Sequence, residues 1–66
     1  MSLAPHQQRV VDERDQLAER IEKLDAFIQG NSFFEGLPEA EQERLVAQAG
    51  VMAVYCRILE RRIGAF

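Results

Sequence analysis

One cysteine and one histidine are all that 66 residues hold of those two types, and each scarcity closes off a class of protein. The lone Cys56 cannot form an intramolecular disulfide. It lies far along the sequence from His6, and two such residues fall short of a metal site, which takes about four ligands at short spacings. A nucleophilic thiol would want a basic neighbour and a nearby histidine, so Cys56 reads as a buried, reduced thiol. Serine occurs only at Ser2 and Ser32, neither in a nucleophile motif. No glycine-rich phosphate loop is present. Carboxylates are plentiful, but on helices they read as solvated faces and as partners four residues apart, such as Glu19 with Lys23. The expectation is a protein that is not an enzyme and uses no metal or cofactor.

Long apolar runs are missing too. Nothing approaches the roughly 18 apolar residues of a membrane span, and no basic segment followed by an apolar core marks a secretory signal. A cytoplasmic location is the expectation. Cations are in the minority: eight Lys and Arg stand against eleven Asp and Glu, a net charge of −3. Wrapping a nucleic-acid backbone needs dense Lys and Arg, so neither long nucleic acid nor a membrane is an expected partner. Any anion site must be a local cluster of cations. The 29% charged and 47% apolar residues suit a soluble, ordered chain.

What the chain does have is helical rhythm. Leu45, Ala49, Met52, Cys56, Leu59, Ile63 and Phe66 follow an unbroken four-three spacing. At roughly 100° per residue this is one stripe on one face of an α-helix. Ala47, Val51, Val54 and Ile58 draw a second apolar line down another side of the same segment. A helix in a lone hairpin needs one buried stripe, so the second must face another copy or another protein. Size argues the same way. The 66 residues form one domain at most. A core this small rarely supplies more than about 3–5 kcal/mol without a disulfide, a metal or oligomerisation, and oligomerisation is the staple left open. Gly50, Val51, Val54, Tyr55 and Ile58 are the expected interface.

The first helix is expected from about Pro5 to Gln29. Proline suits a first turn, where its missing N–H would be unbonded anyway. Its stripe is Leu3, Val10, Leu17, Ile21, Leu24 and Ile28, interrupted by Arg14, which either snorkels outward or pairs with a carboxylate and fixes register. Gly30 offers a left-handed cap at the helix end. Asn31 or Ser32 then caps a short turn holding Phe33 and Phe34, of which at least one should fold over the open end of the hairpin. Gly36-Leu37-Pro38 breaks the chain again. A second helix follows from about Pro38 to Ile63, with Glu39, Glu41 and Glu43 near its start and Arg57, Arg61 and Arg62 near its end, as the helix dipole favours. Gly50, among Ala47, Ala49 and Ala53, costs about 1 kcal/mol relative to alanine; it is either a close interchain crossing or a tolerated glycine. A short connection makes the pair antiparallel. The fold class is all-α: an antiparallel two-helix hairpin with a short connecting turn, assembling into a helical homo-oligomer.

On the polar side of the first helix, His6, Arg9, Glu13, Gln16, Arg20, Lys23 and Phe27 keep a second three-four line about 100° from the core stripe. One reading is an ordinary surface with salt bridges. The other is an anion site with a ring for base stacking. Arg and Lys hold phosphate, and a stacked aromatic contributes about 1–3 kcal/mol per base. Arg57, Arg61 and Arg62 return near the start of the first helix and can add to it. Tyr55 is either a half-buried interface ring or a ligand contact.

Two stretches then resemble a known family. The first is His6-Gln7-Gln8-Arg9-Val10-Val11-Asp12-Glu13, followed by Leu17 and Lys23-Leu24-Asp25-Ala26-Phe27-Ile28. The second is Phe33 or Phe34, Leu37-Pro38-Glu39, Glu41, Glu43-Arg44-Leu45, Gln48, Met52, Tyr55, Leu59 and Arg62-Ile63. Together they cover nearly the whole chain and resemble short bacteriophage helical-hairpin proteins that act as counter-defence sponges. The resemblance implies a compact homohexamer in the cytoplasm of the infected bacterial host. It would sequester intact cyclic dinucleotides, cyclic trinucleotides or cyclic ADP-ribose isomers, so that CBASS or Thoeris effectors stay silent. In that family the dinucleotide site uses an aromatic near the start of the first helix and a lysine further along. Lys23 matches the lysine, and His6 is the one ring near the start. The competing reading is a structural or protein-binding hairpin that docks its exposed stripe on a host or phage partner. A nucleic-acid module has no helix-turn-helix signature to support it.

Overall fold

The structure, a computed structural model, describes residues 2–66. Three helices follow in order: α1 over Pro5–Gly30, α2 over Ser32–Glu35 and α3 over Glu39–Gly64. The two long helices, 26 residues each, lie antiparallel. Arg14 near the start of α1 meets Glu60 near the end of α3, and Phe27 near the end of α1 meets Phe34 in α2. The hairpin is a rod of 49 × 15 × 14 Å.

The starts and stops follow from local chemistry. Pro5 opens α1, and the Gln7 side chain accepts a 3.0 Å hydrogen bond from the Ala4 backbone N–H, which is half of a capping box. At the other end the left-handed glycine cap expected at Gly30 does not form. Among the described residues no glycine has a positive φ. The chain leaves α1 through Asn31 in extended backbone (φ −97°, ψ 126°). The reason is that Asn31 is also the N-cap of α2: its Oδ1 accepts from the Phe33 N–H at 2.8 Å, and an N-cap needs extended backbone. The elbow is then latched by Gln42, whose Nε2 donates to the carbonyls of Glu35 and Leu37 at 3.1 and 3.0 Å. Pro38 caps α3, so the helix proper begins at Glu39, with Glu39 and Glu41 in its first turn and Arg61 and Arg62 in its last.

The core is the meeting of the two main stripes. Val10, Leu17, Cys56 and Leu59 are buried, with Ala18, Ile21, Met52 and Ile63 packed against them. Leu59 has no exposed surface at all. Cys56 is a free thiol inside this cluster. Phe34 is buried and meets Phe27 edge to face, ring centroids 5.8 Å apart, closing the elbow end; its neighbour Phe33 points out, 79% exposed. The stripe ends Leu3 and Phe66 also stay exposed. Arg14 pairs rather than snorkels: its guanidinium donates to Glu60 from Nη2 at 2.8 Å and from Nε at 3.2 Å, and to Asp15 at 3.1 Å. Those hydrogen bonds, Glu60 first and Asp15 second, raise the Arg14 pKa further above its ordinary value. Among the described residues, no helix is long and apolar enough to cross a membrane.

Candidate functional site

The two long helices have one seam on each side of the core, and the seams differ in charge. One seam holds Arg14 with Asp15 and Glu60, beside Val11 and Ile63, around an open depression of about 300 Å³. Two carboxylates against one guanidinium leave it net negative, the wrong sign for an anionic ligand. No cluster of His, Cys, Asp and Glu able to hold a metal ion occurs among the described residues.

The opposite seam is marked by a hydrogen bond from the Tyr55 hydroxyl on α3 to the Glu13 carboxylate on α1. Glu13 belongs to the polar line of α1, so this bond sets that line beside the flank of α3 that carries Tyr55. His6 and Arg9 precede Glu13 by seven and four residues, and Arg20 follows by seven; these offsets keep them on its face. All of them are exposed, as are Gln16 and Lys23. Lys23 makes a 3.1 Å ion pair with Glu19, both side chains largely in solvent. Arg9 and Arg20 have no ion-pair partner among the described residues. Phe27, at the end of the line, is half-buried and has its ring engaged by Phe34.

The three arginines near the end of α3 are divided. Arg62 lies seven residues beyond Tyr55, two turns along the same face, and so stands on the seam of His6 and Arg9. Arg57 and Arg61, four residues apart, line a shallow depression of about 210 Å³ with Val54 and Ile58 on the outer face of α3.

That outer face is the second apolar line. Val51 is 69% exposed, Val54, Tyr55 and Ile58 between 42% and 49%. With Ala47 and Gly50 they line an open groove of about 440 Å³. A Cβ built on Gly50 would meet nothing in the chain, so the hairpin itself makes no use of this glycine. A further groove of about 500 Å³ lies nearer the elbow, with Phe34, Val46 and Ala47 on its floor and Glu39, Gln42 and Glu43 around it.

Sequence reasoning missed Glu60 as the partner of Arg14, Glu13 as the acceptor for Tyr55, and the acidic groove at Glu39 and Glu43. The first two depend on the register of the two helices. The third was visible in the four-residue spacing of the two acids on the face of Ala47 and Gly50.

These grooves are all open to solvent, with the cation line of α1 and the apolar face of α3 side by side. No curated protein and no solved structure gives a significant match to the chain. The sequence model of one family, described as Sequestin, matches residues 4–65, nearly the full length. This helical hairpin belongs to the Sequestin family.

Proposed function

We propose that this protein is a counter-defence sponge: it binds cyclic oligonucleotide immune signals and holds them intact. The signals are cyclic dinucleotides, cyclic trinucleotides or cyclic ADP-ribose isomers. Their capture in the cytoplasm of an infected bacterium keeps CBASS or Thoeris effectors from firing. The observation that carries the reading is the Tyr55–Glu13 seam, where an aromatic ring borders a line of cations, two of them without acidic partners. A phosphodiester ring with purines asks for that combination of charge and stacking surface. The family name speaks for sequestration, and binding without turnover needs none of the groups this chain lacks. The hairpin is too thin to enclose a nucleotide, so the pocket is built between copies, in a hexamer as the resemblance implies. In this reading His6, Arg9, Arg20, Lys23 and Arg62 contact phosphate or base. Phe27 contributes what ring surface Phe34 leaves free.

The test is native mass spectrometry of the purified protein mixed with a panel of cyclic di- and trinucleotides and cyclic ADP-ribose isomers. The expected result is an oligomer that gains integer numbers of intact nucleotides. Lys23→Glu, exposed and held by one surface pair, should weaken binding by at least about tenfold with helix content unchanged. An oligomer that stays bare with every compound would overturn the sponge reading. A bare monomer that gains helical order with a host or phage protein would favour the protein-binding hairpin.

A further inference from the structure

The outer face of α3 has nearly the same pattern in both directions from Gly50. Three residues away stand Ala47 and Ala53; four away, Val46 and Val54; seven away, Glu43 and Arg57; eleven away, Glu39 and Arg61. Offsets of three, four, seven and eleven stay on one side of a helix. Every one of these residues except Ala53 is exposed. Only the charge changes across the centre, from two glutamates to two arginines. None of the four charged groups has an ion-pair partner in its own chain among the described residues; the acid that α3 does pair locally is Glu41, with Arg44.

We propose that α3 packs antiparallel against α3 of a second copy about a two-fold axis at Gly50. Glu43 and Glu39 of each chain then face Arg57 and Arg61 of the other. A two-fold interface presents the same patch from both sides and must be self-complementary. An antiparallel pair centred on Gly50 reverses the numbering about that residue, so each acid meets a base and each alanine or valine meets its like. A parallel pair would set Glu on Glu and Arg on Arg, which is repulsive. The groove nearest the elbow, with its glutamates, receives the end of the other α3 that carries the arginines. Gly50, whose missing side chain serves nothing within the hairpin, lets the two backbones approach at the axis. The pairing does not rest on the ligand reading: the cations assigned to ligand lie on α1 and at Arg62, on the Tyr55 seam, while Arg57 and Arg61 are used here.

Two measurements test it, neither with ligand present. In sedimentation velocity, Glu43→Arg and Arg57→Glu should each weaken self-association by about tenfold or more. The double variant, which restores opposite charges across the axis, should return it to near the original value. In the second, Gly50→Cys should oxidise rapidly to a covalent dimer, because a two-fold at that residue brings the two Cα atoms within disulfide reach, about 4.4–6.8 Å. Glu22→Cys, exposed on α1, is the control, and Cys56 stays buried. A double charge variant as weak as the single ones, with all of them helical by circular dichroism, would overturn the proposal. So would a Gly50→Cys chain that links no faster than the Glu22→Cys control.

Discussion

Leu59 belongs to the buried cluster between α1 and α3. Among the described residues it alone has no exposed surface, and truncating such a leucine to alanine costs about 2–5 kcal/mol. A core of this size supplies roughly 3–5 kcal/mol, so Leu59→Ala should remove most of the far-ultraviolet helix signal of the isolated chain. Phe33→Ala, at a side chain 79% exposed, should leave it within about 0.5 kcal/mol of the original in urea denaturation. Equal losses from the two would mean that the core lies elsewhere. Cys56 belongs to the same cluster, so its reaction with a thiol reagent should follow unfolding, slow in the folded chain and fast in urea. The ion pairs act differently. Arg14 with Glu60 is solvent-accessible, and its value is directional: it fixes which turn of α1 faces which turn of α3.

Among the elements, α3 holds the strongest contrast between what folding needs and what the sequence contains. A glycine midway along a helix costs about 1 kcal/mol against alanine, and Gly50 has open space where a methyl would sit. Gly50→Ala should therefore stabilise the hairpin by about that amount in urea denaturation at dilution, while loosening association seen by sedimentation. Stabilisation accompanied by tighter association would argue against a close crossing there. Both long helices were legible in the sequence because their apolar stripes run for several turns at one period, and the elbow was legible from Gly30, Asn31, Gly36 and Pro38. The backbone at Gly30 was not, although Asn31 caps the short turn as one of the two residues expected to do so. A residue after a helix is commonly left-handed, but this one also starts the next helix, and the second demand wins. The partners of Arg14 and Tyr55 were beyond reach for a related reason. Stripe periodicity fixes which faces meet, and sliding one helix by a turn leaves that pattern intact while changing every polar pair. The candidate site was legible as a line of residues on α1 with arginines of α3 returning near its start; that Tyr55 meets this line at Glu13 was not.

At the scale of the whole molecule, shape decides. A compact domain of this length has a radius of gyration of about 11 Å; this hairpin measures 15.0 Å. A rod two helices thick leaves one side of each helix open to solvent, and on α3 that side carries an apolar stretch between charged ends. Association that covers it stabilises the folded chain by mass action. The thermal midpoint should rise with protein concentration, and the proposed sponge function expects a further rise with a bound cyclic nucleotide. A midpoint independent of concentration would identify a hairpin that is stable alone and would remove the need for copies to meet.

The backbone dispenses with glycine entirely. None of the glycines takes a left-handed conformation, and a Cβ at Gly30, Gly50 or Gly64 would meet nothing, while at Gly36 it would make ordinary contacts. Selection acting on the hairpin alone would therefore let all four positions drift toward better helix formers across related sequences. A glycine retained at position 50, against drift at the other three, would be an evolutionary signature of assembly written into a fold that does not require it.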